Sequence, residues 1–268
     1  METEPRQVVA VTGATGAIGY AIASRLAAQQ RCEVVLVTRD AGRGAIAVRE
    51  LQKETANPNV RHEVCDLSRK AEIEALGQRW QGPLHVLINN AATAPRRREV
   101  TPEGIERQFA TNVLGYFWMT KALTPALSRG APGRIINVAS YWAGDLDLDD
   151  LEFARRPYDN DTAYRQSKQA DRMLTAACAP LLEPIQVTVN ACHPGDASSK
   201  LSRDLGFGGS QTPDEGAETP LYLALSSEGY ETTGKYFARR RQEPCRFSAD
   251  RRAVAALHDA IGAFDGVG

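Results

Sequence analysis

Short apolar runs rich in valine, isoleucine and leucine recur along the chain at Val8–Val11, Val34–Val37, Leu84–Ile88, Ile135–Val138 and Val187–Asn190. Runs of this kind, apolar on both faces, suit strands that lie between two layers of helices. A weaker strand is predicted at Val60–Val64. Helical spacing fills most of the intervals, at about Ile18–Gln30, Gly42–Glu54, Lys70–Arg79, Pro102–Ser128, Thr162–Leu182 and Pro213–Ser226, with one more near the end at Arg251–Ala263. Strand and helix alternate, which predicts an α/β fold with a doubly wound parallel sheet covered by helices on both faces.

The 268 residues fit one large α/β domain, without internal repeat or low-complexity linker. Lys plus Arg number 32 against 33 Asp plus Glu, so no strong overall field marks a nucleic-acid or membrane binder, and a small or neutral partner is expected. The cysteines Cys32, Cys65, Cys178, Cys192 and Cys245 are dispersed, with no close pair at metal-ligand spacing; they read as reduced thiols and no metal is expected. No charged-then-apolar leader precedes the first strand, and no run approaches the ~18 apolar residues of a membrane span. A soluble, cytoplasmic protein is the expectation. Asp145–Asp161 is acidic and irregular, and Ala197–Thr212 is small, polar and glycine-bearing, so both read as loops. Substrate selection is expected in loops near residues 92–100, 141–161 and 196–212.

The first strand runs directly into Thr12-Gly13-Ala14-Thr15-Gly16-Ala17-Ile18-Gly19, and helical spacing follows. Glycines there permit positive φ and close backbone approach, and the helix N-terminus offers free N–H groups to a phosphate. An ordinary tight turn is the alternative. At the end of the second strand, in Val37-Thr38-Arg39-Asp40, an acidic acceptor for ribose hydroxyls is missing at Thr38 and an arginine follows. That guanidinium suits an adenosine 2′-phosphate, which predicts NADP(H) over NAD(H). Arg39 as a solvated strand-end charge is the competing reading, and Asp40 could accept from a ribose or neutralise Arg39.

Further on, Tyr164-Arg165-Gln166-Ser167-Lys168 places a phenol and an ammonium four residues apart, on one face of a helix. A nearby cation favours the phenolate, which makes Tyr164 a plausible acid/base. With the glycine turn, Asn89-Asn90-Ala91-Ala92, Asn112, Ser140 and this pair all in order, the chain resembles the short-chain dehydrogenase/reductase family over nearly its whole length. It departs from the family pattern at Ala17, which replaces the middle glycine of the turn, and at Ala92, which replaces the last glycine of N-N-A-G. Thr212–Leu225 is similar to the carbonyl reductases, and Thr233-Gly234-Lys235-Tyr236-Phe237 to the retinol dehydrogenase branch, whose membrane-anchoring leader this chain is not expected to share.

The resemblance implies a Rossmann-type sheet of about seven strands. It implies a catalytic set of Asn112, Ser140, Tyr164 and Lys168. Tyr164 would exchange a proton with the substrate oxygen, Ser140 would hydrogen-bond that oxygen, Lys168 would hold the nicotinamide ribose, and Asn112 would connect Lys168 to water. It also implies cofactor contacts at Gly13, Thr15, Ala17, Ile18, Gly19, Arg39, Asp66, Leu67, Asn90, Ala91, Pro194, Gly195 and Ser198, with Asp66 on the adenine amino group and Ser198 in place of a threonine at the nicotinamide amide. Tyr141, Trp142 and Phe207 offer aromatic walls to a carbonyl or alcohol substrate, while His193 reads as shaping the backbone. Relatives often pair through the helices corresponding to Pro102–Ser128 and Thr162–Leu182, and the insert Asp145–Asp161 bears on that contact, so a monomer or a homodimer is expected. The reading is an NADPH-dependent carbonyl/alcohol oxidoreductase; a redox sensor that binds NADP without turning it over is the alternative.

Overall fold

The computed structural model describes residues 6–266. Eight strands form one sheet in the order β3-β2-β1-β4-β5-β6-β7-β8. They are β1 (Gln7–Thr12), β2 (Cys32–Thr38), β3 (Val60–Val64), β4 (Val86–Asn89), β5 (Gly133–Val138), β6 (Val187–His193), β7 (Tyr236–Ala238) and β8 (Arg241–Glu243). The first seven run parallel, and β8 returns antiparallel to β7. The apolar runs lie at the centre because both faces of a parallel sheet are covered. One face packs against α1 (Ala17–Ala27), α2 (Ala41–Thr55) and, further along the chain, a helix over Pro213–Leu225. The other packs against α3 (Lys70–Arg79) and the long helices that follow β4 and precede β6.

Those long helices differ from the periodic expectation. The region predicted as a helix from Pro102 begins only at α4 (Arg107–Phe109), passes through a π-helical turn at Ala110–Leu114 and continues as α5 (Gly115–Arg129). Glu106 sets the start: its buried carboxylate accepts from the amides of Gln108 at 2.8 Å and Phe109 at 2.6 Å. Burial pushes that carboxyl up to about 7. Next, α6 (Asn160–Leu182) starts where Asp159 accepts from the Thr162 amide. The segment Ala197–Thr212, expected as a loop, contains a short helix α7 (Lys200–Asp204) started by a Ser199–Ser202 capping box. Beyond it come α8 (Pro213–Leu225), α9 (Glu228–Glu231), α10 (Arg246–Ala249) and α11 (Arg251–Gly262).

Among the described residues the strands number eight, close to the expected seven or so. With three residues each, β7 and β8 are too short to show a period. Arg241, Gln242 and Glu243 are all exposed, and such polar edges discourage pairing with another sheet. At the C-terminal end, Val254, Leu257 and Ile261 of α11 pack into the core beside α6. A 3₁₀ turn then sets Phe264 edge-on to Phe109 at 5.3 Å and Asp265 against Lys70 and Lys121. Strand order reverses between β1 and β4, and a crevice opens at the carboxyl ends of the strands there.

Candidate active site

A cavity of about 670 Å³ occupies this crevice. Its floor begins where β1 ends. Gly13 has φ +64°, and a Cβ on it would lie 2.8 Å from Ala91 Cα; one on Gly19 would lie 2.4 Å from the Gly13 carbonyl oxygen. Glycine is required at these two positions, so that backbone meets backbone. Ala17 is instead the first residue of α1, where a methyl group fits ordinary helical backbone, so the missing middle glycine costs the turn nothing. Gly16 caps α1 without a side-chain bond, leaving first-turn amides free for an anion, and Thr15, Gly16, Ala17, Ile18 and Gly19 all line the cavity.

Thr12 anchors the opposite wall. Its hydroxyl accepts from the amides of Asn90 at 2.8 Å and Ala91 at 3.0 Å, and the Asn90 side chain donates to the Thr12 carbonyl at 2.9 Å. Asn90 and Ala91 therefore line the cavity while tying β1 to β4. Asp66 and Leu67 line it too, with Asp66 accepting from the Ser68 amide and hydroxyl at 3.0 and 2.8 Å. At the end of β2, Asp40 holds the backbone of the next helix. Its carboxylate accepts from the Arg43 amide at 2.8 Å and caps α2. Arg43, absent from the sequence-derived set, sends its guanidinium to the Thr15 carbonyl at 3.1 Å, so two exposed arginines, Arg39 and Arg43, rim one end of the cavity. The signal was the four-residue spacing from Arg39, which by itself looks like a helix surface.

At the other end, β5 and α6 bring Ser140, Tyr164 and Lys168 to the cavity wall. Ser140 and Tyr164 are buried, and Lys168 is almost wholly so, at 1% exposure. The Lys168 ammonium donates to the Val138 carbonyl at 2.9 Å and to the Asp171 carboxylate at 2.8 Å. It also lies 5.9 Å from the Tyr164 ring centre and 5.1 Å from that of Tyr116. Burial raises the Tyr164 phenol; Lys168 and a hydrogen bond with Ser140 act against the rise, and Asp171 and Tyr141 add to it. Burial works against the charge on Lys168, but attraction to Asp171 and the neighbouring phenols outweighs it, so the ammonium is held protonated.

Asn112 lies in the π-helical turn, fully buried, and is not among the residues that line the cavity. Its amide accepts from the Thr93 amide at 2.9 Å and donates to the Thr93 carbonyl at 3.0 Å and the Ser167 hydroxyl at 3.2 Å. The direct partners of Lys168 are thus Val138 and Asp171, while the Asn112 side chain joins the loop after β4 to α6. Pro194, Gly195 and Ser198 line the cavity as expected. Gly195 has φ +107°, and a Cβ there would strike the Gln211 side chain at 2.2 Å. Gln211 in turn accepts from the Asp196 amide at 2.6 Å, which holds this turn in place. Beside it His193 is pushed down to about 4, by burial first and then by Arg172, and is therefore neutral at physiological pH and no acid there.

Trp142 closes the wall, with its ring 6.1 Å from Tyr164 and 5.4 Å from Phe207. Leu201 and Leu205, on and just beyond α7, complete this apolar cluster with Ala94. Among the described residues, no cluster of His, Cys, Asp or Glu is placed to hold a metal ion, and no helix is long and apolar enough to cross a membrane.

Residues 7–206 match the short chain dehydrogenase family. This chain belongs to that family. It is 34% identical to retinol dehydrogenase 13 of Mus musculus over 273 aligned positions, covering 94% of this chain and 81% of that protein. Among solved structures, it resembles the actinorhodin polyketide ketoreductase with NADPH, at a TM-score of 0.68 and 26% identity over 89% of this chain and 97% of that one. A 3-ketoacyl-(acyl-carrier-protein) reductase from Brucella melitensis, complexed with NADH, aligns at a TM-score of 0.66 and 25% identity over 88% and 98%. The family is one of dehydrogenases, and this chain is an oxidoreductase of that family.

Proposed function

We propose that this chain is an NADPH-dependent oxidoreductase that interconverts a ketone or aldehyde with its alcohol, using Tyr164 as proton donor and acceptor. The observation that carries this reading is one cavity with Ser140, Tyr164 and Lys168 at one end and Arg39 and Arg43 at the other. A nicotinamide dinucleotide fits what the residues offer. Gly13 and Gly19 leave a cradle that a Cβ would fill, the uncapped start of α1 suits a pyrophosphate, and the two guanidinium groups suit a 2′-phosphate. When bound, that cofactor supplies or accepts a hydride.

The chain's own residues do the rest. Asp66, Leu67, Asn90 and Ala91 bound the adenosine end, while Pro194, Gly195 and Ser198 bound the nicotinamide end. Lys168 has three N–H donors and uses two on Val138 and Asp171, which leaves one for a ribose hydroxyl. The Ser140 hydroxyl and the Tyr164 phenol meet the substrate oxygen, where negative charge develops during reduction. Tyr164 gives that oxygen its proton, and Trp142, Phe207 and Leu205 exclude water from it. Asn112 acts as a positioning residue through Thr93 and Ser167.

Oxidation of NADPH and NADH against a panel of quinones, aromatic aldehydes, diketones and alicyclic ketones tests the reading. Turnover with NADPH that falls by about 10²-fold or more in Tyr164→Phe supports it. Tight NADPH binding with no turnover across the panel favours a sensor instead. For the cofactor, Arg39→Ala combined with Arg43→Ala raises the KM for NADPH by at least about 10- to 100-fold, because even one charge-assisted hydrogen bond is worth ~1.5–3 kcal/mol, and leaves the KM for NADH nearly unchanged. Equal losses for the two cofactors would remove the 2′-phosphate from the argument.

We further propose one unit acting as a monomer, because α11 packs along α6 and its His258 meets Phe117 of α5 edge-on at 5.9 Å, on the helices through which relatives often pair. Light scattering is expected to return the mass of a single chain; a dimer that persists on dilution contradicts this. A cytoplasmic location fits the four buried free cysteines, which suit a reducing compartment.

A further inference from the structure

One turn beyond Lys168, α6 carries a carboxylate that proton transfer by Tyr164 does not itself require. Asp171 is fully buried; its Oδ2 lies 2.8 Å from Lys168 Nζ, and its Oδ1 meets no donor. Burying a carboxylate is costly, and an amide of the same shape would fill the space while Val138 still held the ammonium. The consequence of the carboxylate is therefore electrical.

The groups around it leave few other sources of charge. Tyr116 on α5, Cys192 on β6 and Tyr236 on β7 are all raised, by burial first, and stay neutral, as does His193 on β6. Tyr141, after β5, faces His193 with ring centres 4.6 Å apart. Arg172, also on α6, directs its guanidinium to the Ser140 carbonyl and stacks on Tyr236 at 3.7 Å. That leaves Lys168, Asp171 and Arg172 as the charges around the pair among the described residues, and of these Lys168 and Asp171 are the ones that act on the phenol. A lone ammonium would pull Tyr164 towards phenolate. An ammonium paired with a carboxylate has little net charge, and its pull is largely cancelled.

We propose that Asp171 is a positioning residue that acts through Lys168, neutralising its charge so that Tyr164 keeps its proton and remains a donor up to alkaline pH. This rests on the reading of Tyr164 as the proton-transfer residue. Reduction, which needs the phenol, then runs across the neutral range. Alcohol oxidation, in which the phenolate takes the hydroxyl proton, sets in only at higher pH. Burial raises Asp171 itself, against the pull of Lys168, so the compensation is strongest at neutral and alkaline pH and fades on acidification.

The test compares wild type, Asp171→Asn and Asp171→Glu as purified full chains. The pH dependence of kcat/KM is measured for a panel carbonyl and its alcohol. Independently of substrate, Tyr164 ionisation is read from near-ultraviolet tyrosinate absorbance, as the difference between each protein and its Tyr164→Phe counterpart. In Asp171→Asn both midpoints move to lower pH by about one unit, as expected for removing one charge about two helical turns from the phenol. Asp171→Glu returns them to the wild-type position. Unchanged midpoints, or a shift to higher pH, overturn the proposal. The spectroscopic midpoint needs no turnover, so it fails separately from the reading of the function. If Asp171→Asn does not fold, Asp171→Ser is titrated in its place: a Tyr164 midpoint below the wild-type position supports compensation by Asp171, and an unmoved or higher one overturns the proposal.

Discussion

Tyr164→Phe lowers kcat by about 10²- to 10⁴-fold, the usual contribution of a positioned proton donor, and leaves cofactor binding within about twofold. The phenyl ring keeps the contact with Trp142 and the buried volume, so the fold has no reason to change. What is lost is one O–H at the point where an alkoxide would otherwise need to form unaided. Ser140 remains to hydrogen-bond that oxygen, which leaves a residual rate above zero. Loss of the phenol also removes the ionisation that shapes the pH profile, so the residual activity is flat where the wild type is steep. Steady-state kinetics with NADPH and cofactor titration by fluorescence check both halves. Full turnover in the variant would show that protonation comes from elsewhere and would withdraw the role given to Tyr164.

Lys168→Met has the second large effect, and it falls on stability as well as on rate. Removing one partner of a buried ion pair costs ~3–5 kcal/mol because the other charge is left uncompensated. For a chain of this size each kcal/mol lowers Tm by roughly 2–4 °C, so a fall of the order of 10 °C is expected. The sign with pH follows from Asp171. Without the ammonium its carboxyl rises further above the ordinary ~3.9, so the folded state holds a proton that the unfolded state releases. Stability of the variant then declines as pH rises from about 4, and its deficit against wild type is larger at alkaline than at acidic pH. The double variant Lys168→Met with Asp171→Leu removes both charges and recovers most of the lost Tm while remaining inactive. Calorimetry on the three proteins measures this. Recovery of Tm without the second substitution would mean that the pair contributes little to the fold.

The sheet was readable because its strands are runs of apolar residues in a chain of alternating periods. Val8–Val11 and Ile135–Val138 carry their burial in their own composition. The shortest strands were not readable, since three residues such as Arg241-Gln242-Glu243 join the sheet only because Tyr236–Ala238 is already there to pair with. Nor was the late start at Arg107, where periodicity continues upstream but the Glu106 side chain takes the first amides. The helix at Lys200–Asp204 is similar, since its start rests on two serines bonding each other's backbone, a signal that reads equally well as a loop.

At the site, the legible residues were those whose patterns are local. The glycine turn, the Arg39 beyond β2, and the spacing of Tyr164 and Lys168 are all short-range patterns, and each lies on the wall of the cavity. Tertiary packing set which groups share an environment. It joined Arg43 to Thr15, turned Asp40 into a helix cap, committed the Asn112 side chain to Thr93, and sealed Asp171 against Lys168 where water cannot screen either charge. The reason is that charge and hydrogen-bond strength depend on burial and on partners distant along the chain, and neither is written in the spacing of residues.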